Sequence, residues 1–259
     1  MSDVVKVERH EGIATVILDR PEKLNALNKS MWKGVGDVFT ALSSDASVRC
    51  VILRGAGDKA FSPGADIAEF ETERSDIAKA TVYGGLMHRA MRAIGDCPHP
   101  TIAAIRGICV GGGLELAAMC DLRICGASSR FGVPINRIGV VMAYPEMKAL
   151  MDLVGRATAL EILFEGRVFG ADEALAKGLV TRVVADEDVF EEALGAATRI
   201  ASGAPLINRW HKKFARRLAE GRPLSAAEAA EGFEAFGTAD FREGVRAFLA
   251  KETPRFEGR

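Results

Sequence analysis

The chain lacks the signals that would place it in a membrane or direct it out of the cell. No apolar run approaches the ~20 residues that a membrane-spanning helix needs. Met1-Ser2-Asp3 leads straight into strand-forming residues, with no basic-then-apolar export segment. Net charge is also nearly absent. The 34 Lys and Arg against 35 Asp and Glu leave −1, which argues against nucleic acid or an anionic membrane as the main partner. The basic run Arg209-Trp210-His211-Lys212-Lys213, with Arg216 and Arg217, follows an amphipathic pattern and reads as a solvated helix face. Cysteine is sparse. Cys50, Cys97, Cys109, Cys120 and Cys125 are odd in number, form no C-x-x-C pair and have mostly apolar neighbours. They read as small buried hydrophobes in a reducing compartment, so a cytoplasmic location is expected and disulfides are not. The four histidines (10, 88, 99 and 211) show no metal-ligand spacing.

What is present is an alternation of short β-rich runs and helical patterns. Val4 to Glu8 and Ile13 to Leu18 read as strands around a turn at Glu11-Gly12. Asn28 or Ser30 caps a helix to about Leu42, and Val48 to Arg54 is a strand. Ile77 to Ile94 is a helix with His88 and Arg92 on its polar side. Thr101 to Ile105 and Leu122 to Cys125 are strands. The recurrence predicts an α/β fold of strand–strand–helix units. From about Pro145 the pattern turns helical, apart from a strand at Leu179 to Val184. Helices start at Asp186, at Pro205, at the capping box Ser225-Ala226-Ala227-Glu228 and near Asp240. We divide the chain into a core over 1–200 and a helical region over 201–259. The aromatic stripes of that region, Phe233, Phe236, Phe241 and Phe248 among them, exceed what it can cover alone and suggest a partner subunit.

Two segments carry the chemistry. In Gly111-Gly112-Gly113-Leu114-Glu115, consecutive glycines open a helix, remove Cβ atoms where a ligand approaches and leave N–H groups unpaired. G-x-G-x-x-G is absent, which disfavours a dinucleotide loop. Phe61-Ser62-Pro63-Gly64-Ala65-Asp66-Ile67 follows a strand and is, by itself, explained as a helix start capped by Asp66. Paired, the two segments offer the N–H groups of Ala65 and Gly112 to one carbonyl oxygen, an oxyanion hole worth several kcal/mol. Glu115, three residues past Gly112, is placed as an acid or base. An ordinary helix-dipole carboxylate is the plainer alternative.

Several ordered motifs resemble the crotonase (enoyl-CoA hydratase/isomerase) superfamily over nearly the whole chain. They are Arg20 to Asn28, Phe61 to Glu69, Ala104 to Asp121, Gly155-Arg156-Ala157, Ala171 to Val180 and Arg242 to Leu249. The resemblance implies a spiral of strand–strand–helix units with a helical C-terminal region that mediates trimerisation, often as a dimer of trimers. It implies an acyl-CoA thioester substrate and no separate cofactor, CoA being part of the substrate. By position, Lys23 and Leu24 lie near the CoA nucleotide. Ala65, Asp66, Ile67, Gly111 and Gly112 border the thioester, and Phe248 and Lys251 reach CoA on a neighbouring subunit.

The sequence departs from the hydratase pattern at one position. Hydratases of this family place a second glutamate where this chain has Ile135, and an isoleucine cannot carry a proton. The small, glycine-rich stretch after Gly139 is replaced by Val140-Val141-Met142-Ala143-Tyr144-Pro145-Glu146, so Ile135 and Met142 are expected to wall the acyl pocket. Three readings follow. Glu115 acts alone, or with Glu146 or Tyr144, in hydration or double-bond isomerisation. Alternatively, the site decarboxylates a malonyl-type thioester, or it binds acyl-CoA without turnover. Glu146 at a helix start is equally a dipole partner, and Tyr144 equally a plain pocket wall.

Overall fold

In a computed structural model describing residues 4–259, a hairpin is followed by strand pairs whose members go to two different sheets. β1 (Val5–His10) and β2 (Ile13–Leu18) form an antiparallel hairpin. After α1 (Lys29–Ser43) come β3 (Cys50–Gly55) and β4 (Ala60–Ser62). The short α2 (Phe70–Glu73) and the long α3 (Ile77–Asp96) follow. Next are β5 (Thr101–Ile105), β6 (Ile108–Val110) and α4 (Gly112–Ala118), then β7 (Leu122–Gly126), β8 (Arg130–Gly132) and α5 (Tyr144–Glu165). Both strands of the hairpin join the large sheet; in each later pair the first strand joins it, in the order β1-β2-β3-β5-β7, and the second joins another sheet of order β4-β6-β8. Each turn of chain thus advances one place in both sheets, the predicted strand–strand–helix spiral. β9 (Phe169–Gly170) closes the small sheet. After α6 (Ala171–Ala176), β10 (Arg182–Val184) closes the large one. It is shorter than the strand expected from Leu179.

Pairing beyond the hairpin is parallel except β8–β9, so the central strands are covered on both faces and read as near-continuous apolar runs. Alternate residues serve two cores. Val51, Leu53, Ala103 and Ile105 pack with Trp32, Phe39, Met91 and Ile94 of α1 and α3. Cys50, Ile52, Ile102 and Ala104 pack with Val189, Ala193 and Ala197 of α7 (Val189–Ala201). Of the two caps proposed for α1, it is Asn28 that accepts from the Met31 amide.

The C-terminal helices α8 (Pro205–Ala219), α9 (Ala226–Ala230) and α10 (Ala239–Ala250) are tied to this core by cations. Lys212 lies 2.7 Å from Asp121 with its side chain only 8% exposed, so the basic run is not solvated throughout. Arg49 donates to Ala201 and Phe256 carbonyls. The Ser225–Glu228 capping box forms as read. Thr238, rather than the region of Asp240, caps α10. Asp240 is buried and accepts from the Glu257 and Gly258 amides of the tail. Phe233, Phe236, Phe248 and Leu249 remain exposed. No helix among the described residues is long and apolar enough to cross a membrane.

Candidate active site

The loop after β4 and the loop after β6 meet. Gly64 has φ +98, and a Cβ there would lie 2.9 Å from the Val110 carbonyl oxygen and 3.0 Å from the Gly112 nitrogen. At Gly113 a Cβ would fall 2.3 Å from the Ser62 carbonyl oxygen. The glycines therefore let two backbone segments touch, as well as leaving room for a ligand. Ala65 forms a parallel bridge with Leu27, in which Leu27 N–H donates to Gly64 and Asp66 N–H donates to Leu27. Those bonds use the residues flanking Ala65, so its own amide points away from Leu27. Gly111 N–H donates to the Gly132 carbonyl. Gly112 is the first residue of α4, where an amide has no intrahelical acceptor.

Both amides border a cavity of about 450 Å³ whose lining includes Ala65, Asp66, Ile67, Gly111, Gly112, Glu115, Ile135, Met142 and Glu146. The sequence-predicted residues thus converge here, and Val140 and Val141 join them. Asp66 caps the turn at Ile67 through the Ala68 amide, as read, and also pairs with Arg20 at 3.1 Å. Arg20 further donates to the Ala26 carbonyl, which ties the loop carrying Lys23 and Leu24 to the site. Asn25 completes the tie by donating to the Ala56 and Ala60 carbonyls. Ala26 lines the cavity, whereas Lys23 and Leu24 lie beside it on the loop.

Three expectations need amendment. Glu146 is more than a dipole partner: it stands in the first turn of α5 but is buried, 5% exposed, and faces the cavity. Tyr144 does not reach the cavity and is 93% exposed. A helix turns about 100° per residue, so residues 144 and 146 point to nearly opposite sides. His88 is not on a free polar face, because its Nε2 lies 2.9 Å from Glu146 Oε1. Phe248, exposed on α10, borders a separate apolar hollow with Ile207, Phe241 and Phe256, and Lys251 is the exposed left-handed cap of that helix.

The two carboxyls have unequal surroundings. Glu115 is buried, and its Oε2 has no hydrogen-bond partner among the described residues. Burial first, and the nearby Glu146 second, push its pKa up to about 8 from an ordinary 4.5, against a smaller opposite pull from Arg74. Glu146 shares a hydrogen bond with His88 on one oxygen, and its other oxygen, also buried, has no partner among the described residues. Two carboxyls set apart in this way divide naturally into an acid and a base. The described residues contain no cluster of His, Cys, Asp and Glu able to hold a metal ion. Arg74, from the segment after α2, and Met87, from α3, also line the cavity, and neither was singled out in the sequence.

The family description Enoyl-CoA hydratase/isomerase matches residues 8–259. The chain belongs to the enoyl-CoA hydratase/isomerase family. Among curated members of this family, the crotonyl-CoA hydratase of Syntrophomonas wolfei is 36% identical over 253 residues, covering 96% of each chain. A solved enoyl-CoA hydratase/carnithine racemase from Magnetospirillum magneticum is 52% identical and superposes with a TM-score of 0.97, covering 99% of this chain and 96% of that one. The enoyl-CoA hydratase of Bacillus anthracis superposes at 0.92 with 29% identity, covering 99% and 100%. The α/β spiral is therefore the fold of enoyl-CoA hydratase/isomerase family members, and an acyl-CoA thioester is the substrate class that fits the family.

Proposed function

We propose that this chain hydrates a 2-enoyl-CoA, with Glu146 supplying the second carboxyl that position 135 cannot. One observation carries the reading: two buried carboxyls, one with a raised pKa and one held by a histidine, line the same cavity as the Ala65 and Gly112 amides. The thioester oxygen sits between those amides, which take up the negative charge as the enolate develops. Glu146, oriented by His88, accepts a proton from water as its oxygen bonds to C3. Glu115, neutral near pH 7, donates its proton to C2, so the atoms of one water are added. Without water at C3, the same pair would move a proton between C2 and C4, which is isomerisation.

The test is mass spectrometry of crotonyl-CoA incubated with enzyme in heavy-oxygen water. Uptake of one heavy oxygen supports hydration. Glu146→Gln and Glu115→Gln are each expected to lower kcat by about 10²–10⁴, with binding of butyryl-CoA largely kept. Full turnover in Glu146→Gln would remove Glu146 from the chemistry. Carbon dioxide released from a malonyl-type thioester, with no heavy-oxygen uptake, would favour decarboxylation. Binding with neither outcome would leave a non-catalytic acyl-CoA protein.

A further inference from the structure

Arg74 has an unusual setting for a cation. It is half-buried against the cavity that holds Glu115 and Glu146. Its guanidinium stacks over the Tyr83 ring at 4.0 Å and the Phe70 ring at 4.9 Å. Its one hydrogen-bond acceptor among the described residues is the thioether sulfur of Met87, a weak one for a group with five donors. No carboxylate of the described residues lies within ion-pair distance of it, although Arg20, Arg89, Arg167, Arg217 and Arg246 all have one. The stack is also held in place. Tyr83 is buried and its hydroxyl donates to Glu69 at 2.7 Å, while Glu69 accepts from the Lys29 amide at the start of α1.

A guanidinium clamped by two ring faces at the wall of a cavity is set for a planar two-oxygen anion. Balancing the active-site charges is the rival role. Glu146 already has His88, and Glu115 keeps a raised pKa despite Arg74. Neither carboxyl is therefore its evident counter-ion.

We infer that the acyl group carried by this enzyme's substrate bears a carboxylate, which Arg74 binds in a two-pronged pair. This rests on the proposed acyl-thioester pocket but not on which reaction occurs there. A carboxylate beside the thioester, as in a malonyl unit, and one at the far end of a diacid chain share this chemistry.

The test is calorimetric binding of saturated thioesters to the intact enzyme: glutaryl-CoA against valeryl-CoA, and malonyl-CoA against propionyl-CoA, with carbon dioxide release followed in the malonyl-CoA sample so that any turnover is separated from binding. One carboxylated member is expected to bind at least tenfold more tightly than its neutral counterpart, and which pair shows it places the carboxylate along the chain. Arg74→Met, which keeps the stem, should bring that ratio close to 1, and Arg74→Lys should restore part of it. No preference in the wild type overturns the inference. So does an Arg74→Met loss that falls equally on both members of a pair, since that marks a general role in the pocket. Because binding is read without turnover, a failed hydration assay leaves this result standing. Absence of binding by every thioester would overturn both this inference and the acyl-CoA reading.

Discussion

Glu115 joins stability to chemistry through one proton. Its carboxyl keeps that proton to about pH 8 in the folded chain, while an ordinary glutamate releases it near 4.5. The folded state thus binds more protons than the unfolded one between those values, so stability falls as pH rises through that window and is level above it. At pH 7 the cost is roughly 3 kcal/mol at most, at about 1.4 kcal/mol for each pH step. Glu115→Gln should therefore be more stable than the wild type at pH 7–8.5 and nearly equal to it at pH 4.5, as measured by urea midpoints. A constant difference across that range would mean that Glu115 titrates normally. The residues found from sequence were those whose meaning is local: Ala65 between strand and turn, Gly112 and Glu115 at a glycine-opened helix. His88 and Glu146 are 58 positions apart, so nothing near either one marks their pairing. Arg74 lies one helical turn past Phe70, but Tyr83 comes over it only when α3 folds back toward α2.

Among the elements, the meeting of the two glycine loops sets the site more than either helix does. Gly113→Ala would force a methyl to 2.3 Å from the Ser62 carbonyl, backbone against backbone, with no side chain able to yield. It should cost about 2–4 kcal/mol, at or beyond the upper end of ordinary overpacking, and sharply reduce turnover. Gly85, within α3 and with nothing within 4 Å of an added Cβ, is the matched control. Gly85→Ala should raise stability by about 0.5–1 kcal/mol. Thermal melts of the two variants check both signs. The alternation of large-sheet strands and helices was legible because each central strand is an apolar run broken by glycine or polar residues, whereas the three-residue strands β4, β6 and β8 were too short to show a pattern. α2 was not legible, since four residues are too few to show a helical period. Neither was the break at Gly155 inside α5, where φ is +75 and ψ is 164 while the apolar pattern runs on to either side.

For the whole molecule, the exposed side chains of Phe233, Phe236, Phe248 and Leu249 form more aromatic and aliphatic surface than a lone chain ordinarily leaves in water. We propose that this surface joins copies of the chain into a trimer or a dimer of trimers. Covering Phe248 or Leu249 would contribute about 1.5–3 kcal/mol per side chain. Phe248→Glu with Leu249→Glu should shift the assembly to monomers in light scattering. A monomeric wild type would sink the proposal, and the surface would then need another explanation. The aromatic excess was visible in the sequence, whereas the Lys212–Asp121 pair that anchors α8, with its lysine side chain largely covered, was hidden within a run of charges.

The five cysteines bear on the company this protein keeps. An enzyme handling acyl thioesters meets two hazards: acyl transfer onto its own sulfur, and mixed disulfides with free CoA. Both need a thiolate that can reach solvent. Here all five thiols are buried. Burial pushes Cys50, Cys120 and Cys125 up to about 12 and raises Cys97 and Cys109 as well. The few thiols of this core are in this way chemically silent toward the thiol and thioester that its substrate would bring.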